Sequence, residues 1–211
     1  MARLRGLIGL VVNQPNFPGI LAVGFVLGMA NSFVSPFLSM WGMLAIGMRP
    51  LEFGLFMVTT ALSGIVCSTL LARRSDTHVA RRTMLLIGAT GGMLGYLGYA
   101  FVRDPLVLTC IGASALAVSA VSFSQLFAHV REELARQENE GAGTQLTMSL
   151  LRASFSLAWT VGPALSAAMM IRFSYRGIFI AAASLFALFL LGVVLFVPHR
   201  PRPNVVHRAV S

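Results

Sequence analysis

The chain contains no lysine; its 211 residues include only 7 acidic residues and 2 cysteines, and 11% of the positions are charged. Soluble domains carry about 25% charged residues. That shortage, set beside a hydrophobic content of 56%, excludes a water-solvated fold. Cys67 and Cys110 each stand alone in an apolar run, which excludes a disulfide framework and a thiolate metal site; both are expected to be small buried hydrophobes. His78, His129, His199 and His207 all fall away from the centres of the apolar runs, and no H-E-x-x-H pair exists, so intramembrane zinc hydrolysis has no ligand set. The net charge of +9 raises nucleic acid as a partner, but nucleic-acid binders gather basic residues on a solvated face beside aromatic platforms. Here the arginines punctuate apolar runs. No nucleic acid, metal, cofactor or catalytic residue is therefore expected, and the chain is not read as an enzyme.

What the sequence does have is hydrophobic length. A helix needs about 20 apolar residues to cross a bilayer, and six runs qualify, near 18–46, 52–72, 83–102, 105–128, 145–171 and 176–197. The fold class is thus an all-α membrane protein. Residues 1–17 form an N-terminal segment, 18–197 the transmembrane domain, and 198–211 a tail or the start of a polar linker. The connections at 47–51, 103–104 and 172–175 are short, whereas 73–82 and 129–144 are longer and more charged, which places the long loops and both termini on one side. Of the 16 basic residues, all arginine, 11 lie on that side, 4 (Arg49, Arg103, Arg172 and Arg176) on the other, and Arg152 inside a span. Arginine near span ends is retained in the cytoplasm, so both termini are expected to be cytoplasmic. Arg3, Arg5 and the stretch 7–12 resemble the start of a secretory signal, but Asn13-Gln14-Pro15-Asn16 interrupts it, and cleavage is not expected.

Polar residues inside spans are costly in hydrocarbon and normally face protein or a water-filled cavity. In the fifth run, Gln145, Ser149, Arg152, Ser156, Trp159 and Pro163 recur every three or four positions and share one helical face. An aromatic ring among directional hydrogen-bonding groups suits a polyhydroxylated ligand, whose C–H face stacks on the ring. A helix-packing seam, with Arg152 reaching for the headgroups, fits the same stripe. The fourth run offers Ser114, Val118, Ser122, Gln125 and His129 on one face, and the first offers Gly28, Ser32, Ser35 and Ser39 with Asn31 beside them. These are candidates for the same cavity, though serine in membrane helices also serves packing. Gly88, Gly91, Gly92, Gly95 and Gly98 in the third run read as close helix contact. No Asp or Glu lies in the middle of any run, and Arg152 cannot carry a proton because guanidinium stays charged.

The loop Leu71-Ala72-Arg73-Arg74-Ser75-Asp76-Thr77-His78-Val79-Ala80-Arg81-Arg82 is similar to a major facilitator superfamily signature, G-x-x-x-D-[RK]-x-G-x-[RK]-[RK]. Asp76, Arg81 and Arg82 match it, while Ala72, Thr77 and Val79 depart from it. Ser124-Gln125-Leu126-Phe127-Ala128 and the stretch from Leu151-Arg152-Ala153 to Trp159-Thr160-Val161-Gly162-Pro163 resemble the bacterial sugar efflux transporters within that superfamily. The resemblance covers residues 17–198 and corresponds to the N-terminal half of such a transporter, a 3+3 inverted repeat. It implies a multi-pass protein of the bacterial inner membrane, efflux of a small-molecule sugar or glycoside by proton antiport with alternating access, Asp76, Arg81 and Arg82 as a conformational gate, and Gly162 and Pro163 as a helix-bending pair. Because the family binds substrate between two six-helix halves, the chain is expected to be a fragment, a half that pairs with a separate six-helix partner, or a homodimer. A non-transporting membrane protein that retains the half fold, and efflux of drugs rather than sugars, are the alternatives.

Overall fold

The computed structural model describes residues 17–77, 79–136 and 142–198, and among them every long element is helical. Inside hydrocarbon each backbone N–H and C=O must find a partner within its own segment, so an apolar run becomes a helix. The first, α1, runs Phe17–Ala45 and the second, α2, Pro50–Thr77. The third, α3, runs Arg81–Phe101. The fourth, α4, is built from Pro105–Ile111, Gly112–Leu116, Ala117–Ser119 and Val121–Arg136, and the last, α5, covers Ala142–Phe196. Among the described residues, five helices are long and apolar enough to cross a membrane.

At 55 residues, α5 would be about 80 Å long if straight, far beyond a hydrocarbon core of about 30 Å. It is not straight. Ser174, at φ 55 and ψ −169, leaves helical geometry and reverses the chain. The arm before it runs parallel to α1, since Gly24 meets Leu151, Gly28 meets Ala158, and Gly162 meets Ser32. The arm after it runs antiparallel, with Val23 against Gly192 and Gly19 against Phe196. A non-glycine residue in that backbone region is costly, roughly 1–3 kcal/mol. Gly177 compensates locally by letting the Phe173 side chain pass where a Cβ would sit. Pro163 lies within helical backbone; the departure falls at Ser174.

The other turns have explicit chemistry. Gly47 takes φ +83 with nothing within 4 Å of a would-be Cβ, so its backbone angle and not space demands glycine there. Asp104 caps α4, its carboxylate accepting from the Val107 amide at 2.9 Å, with Pro105 at the first helical position. Val79, which replaces the superfamily's glycine, is not among the positive-φ residues.

Helices outlast the apolar runs at one end of the bundle. Arg73 and Arg74 belong to the last turns of α2, and α4 continues to Arg136, eight residues past the expected 128, because its polar final turns remain helical after hydropathy falls. The expected terminal segments lie outside the described residues except for 17 and 198, as do His78 and residues 137–141.

The third-helix glycines pack as expected. A Cβ on Gly91 would stand 2.7 Å from the Ala115 carbonyl oxygen, one on Gly95 2.5 Å from the Leu116 side chain, and Gly92 admits the ring of Phe186. At the end that holds the α1–α2 and α3–α4 turns, Trp41 is fully buried, stacked on Tyr99 at 5.1 Å and edge-on to Phe179 at 4.7 Å, which ties α1, α3 and α5 together. Arg176 lies over the Phe101 ring at 4.4 Å on the same end. Cys110 is exposed and Cys67 half-buried, so neither is a core residue. Cys67 borders an apolar groove that α2 shares with α3 and α4, while Cys110 lies on a helix surface.

Candidate functional site

A cavity of about 1430 Å³ opens between the final turns of α4 and the first arm of α5. From α5 it is lined by Thr144, Gln145, Met148, Ser149, Arg152, Phe155, Ser156 and Trp159. From α4 come Phe123, Ser124, Phe127, Ala128, Arg131, Glu132 and Ala135, and Arg81 closes one wall from the start of α3. All five polar and aromatic stripe residues from Gln145 to Trp159 therefore face one space. Each is exposed, and Trp159 is 50% accessible despite its size. The opposite face of the same arm makes the packing: Leu151 and Ala158 are fully buried, and Phe155 sits between the two faces with its ring 5.0 Å from Phe123 and 5.6 Å from Phe127. Of the two arrangements that fit the stripe, the geometry is that of a cavity wall.

The other expected lining residues lie elsewhere. The Asn31 amide donates back to the Leu27 carbonyl at 2.8 Å within α1. Ser35 is exposed in the short 3-10 turn Ser35–Phe37, away from the cavity. Ser122 is fully buried against Gly88, and Gln125 is 2% exposed. For α4 the cavity lies on the other side of the helix: its lining face, Phe123, Ser124, Phe127 and Arg131, stands about 180° around from the Ser122–Gln125–His129 face that turns into the protein. The physical reason is that small polar side chains pack closely where a glycine lets two backbones approach. Aromatic rings, in contrast, suit the wall of an open cleft. The Phe123–Phe127 pair at four-residue spacing, followed by Arg131, was the available signal.

Gln125 acts behind the wall. Arg81 donates from Nε to Glu132 Oε2 at 2.8 Å and from Nη1 to Gln125 Oε1 at 3.3 Å, so one guanidinium joins α3 to two turns of α4. Arg82 donates to the Val194 carbonyl at 2.9 Å and fastens α3 to the second arm of α5. Two residues of the signature loop thus brace the bundle at the open end of the cavity; the side chain of Asp76 lies outside the described residues. Gly162 meets Ser32, whose hydroxyl donates to the Ala158 carbonyl at 3.1 Å, so the Gly162–Pro163 pair marks the tightest contact of α1 with α5.

Among the described residues, the architecture is an all-helical bundle of membrane-length helices with a polar, arginine-bearing cavity between them. The sequence profile of the Major Facilitator Superfamily matches residues 20–210, and the chain belongs to that superfamily. Among its relatives, a Deinococcus radiodurans protein provisionally named a sugar efflux transporter is 36% identical over 198 residues, 94% of this chain and 50% of the relative. Sugar efflux transporter A of Dickeya chrysanthemi is 34% identical over 88% of this chain and 46% of its own length. Sugar efflux transporter A of Escherichia coli strain K12 is 30% identical over 86% and 46%. The chain spans about half the length of the relatives it matches.

Proposed function

We propose that this chain is one half of a sugar or glycoside efflux transporter, and that the cavity beside Trp159 and Arg152 is its share of the substrate site. The reversal at Ser174 makes the two arms of α5 separate crossings, so the chain passes the membrane six times as a 3+3 inverted repeat. Positive charge then puts both termini on the cytoplasmic face of the bacterial inner membrane. The cavity opens at that face, and a second six-helix half, on another chain or another copy of this one, covers it. Alternation of the two halves about the site carries substrate outward, with proton antiport as the energy source. The observation that carries the proposal is the convergence of Gln145, Ser149, Arg152, Ser156 and Trp159 on one volume of about 1430 Å³. An indole face flanked by amide, hydroxyl and guanidinium donors is what a sugar needs: a ring to stack on and fixed partners for its hydroxyls.

The test is radiolabelled sugar export from cells or inverted vesicles carrying the functional assembly. Trp159→Ala and Arg152→Ala are expected to lower export at least tenfold while membrane insertion stays normal. Export unchanged in both variants would sink the assignment.

A further inference from the structure

Among the described residues the charges around the cavity do not balance. Its ionic wall consists of Arg81, Arg131, Arg152 and Glu132. Glu132 is engaged by Arg81 at 2.8 Å. Among the described residues Arg152 and Arg131 have no hydrogen-bond or ion-pair partner, and both are exposed to the cavity. Arg152 stands eight residues inside Thr144, about 12 Å along the helix at 1.5 Å per residue. An ionised side chain at such depth normally pairs with an opposite charge. Nothing else on the first arm of α5 supplies one, because residues 144–171 contain no Asp or Glu.

We infer that the missing counter-charge travels with the substrate: the cavity selects carbohydrates that bear an oxyanion, with Arg152 as the specificity-determining residue and Arg131 as a second cation nearer the mouth. This rests on the reading of the cavity as a carbohydrate site. The planar guanidinium fork matches a carboxylate or phosphate bidentately. Trp159 lies seven residues further along the same face, about 10 Å away. That separation fits a ligand of two sugar units, one ring on the indole and the charged group at Arg152, with Ser156 between them within reach of hydroxyls.

Calorimetric titration of the purified functional assembly in lipid nanodiscs tests this with lactose, lactobionic acid, the uncharged amide of lactobionic acid, and lactose 1-phosphate. The acid and the phosphate are expected to bind at least tenfold tighter than lactose and than the amide, which has the same shape without the charge. Arg152→Gln is expected to remove that preference, so that the acid and its amide bind within about twofold of one another, and Arg152→Lys to restore part of it. A tighter phosphate ester or a tighter carboxylate each supports the proposal and identifies the anion source. Equal binding of acid and amide overturns it, as does an anion preference that survives Arg152→Gln. If that variant does not insert, the acid–amide comparison on the unaltered chain decides alone. Failure of every sugar to bind overturns the carbohydrate reading itself, an outcome distinct from neutral binding without anion preference.

Discussion

The glycine seam of α3 and the polar stripe of α5 are both periodic, both lie within membrane-length helices, and behave in opposite ways. Along the seam, Gly88, Gly91 and Gly95 let α4 approach until the Ala115 carbonyl, Ser122 and Leu116 fill the space a side chain would use. Along the stripe, side chains from Gln145 to Trp159 stand clear of any neighbour and face open volume. In lipid there is no hydrophobic gain from pressing two apolar helices together, so association depends on close packing and occasional hydrogen bonds. The seam supplies that closeness. The stripe is freed from it because the opposite face of the same arm, through Leu151, Ala158 and Gly162, already holds α5 to α1.

Substitutions that reverse the two roles test this contrast, and the largest effect is expected in the seam. Gly91→Leu forces a Cβ to 2.7 Å from a backbone oxygen that cannot rotate away, at a cost of about 3 kcal/mol. The expected outcome, read by thermal unfolding in detergent and folded yield, is loss of most folded protein. Ser32→Ala probes the α1–α5 contact by removing the bond to the Ala158 carbonyl, 3.1 Å long. Hydrogen bonds between membrane helices average about 0.6 kcal/mol, so a small drop in thermal stability with unchanged fold is expected. Ser156→Leu fills the cavity wall and is expected to change stability by no more than about 0.5 kcal/mol, since the residue touches open space. Its effect belongs in a binding measurement, where a blocked cavity lowers carbohydrate affinity. A Ser156→Leu protein that unfolds as readily as Gly91→Leu would erase the distinction between stripe and seam.

The helices of membrane length were legible because hydrophobic length is a property of each segment on its own. The short connections at 47–51 and 103–104 were legible as well, and the structure adds how they are closed: Asp104 caps one helix and Gly47 turns the chain, by local chemistry that needs no distant partner. The stripe was legible as a periodicity, but periodicity does not say whether a face meets protein or space. For α4 the same cue pointed to Ser122 and Gln125, which the fold turns inward against Gly88 and Arg81, while Phe123 and Phe127 took the open side. Hydropathy also ended the helices early at their polar ends, since the last turns of α2 and α4 are held by backbone bonds that do not depend on apolar side chains.

By itself the sequence determined which segments are long and apolar enough to cross a membrane, and that Arg152 is a charge with no counter-charge on its own arm. Each follows from local composition, because transfer into hydrocarbon and helix formation are properties of a segment. Only the tertiary structure decided that the stripe opens on a cavity, that Arg81 leaves the signature loop to bind Glu132 and Gln125, and that Asn31 and Ser35 stand apart from the site. Which face of a helix is covered depends on the neighbours that reach it, and those are fixed by contacts between residues far apart in the chain.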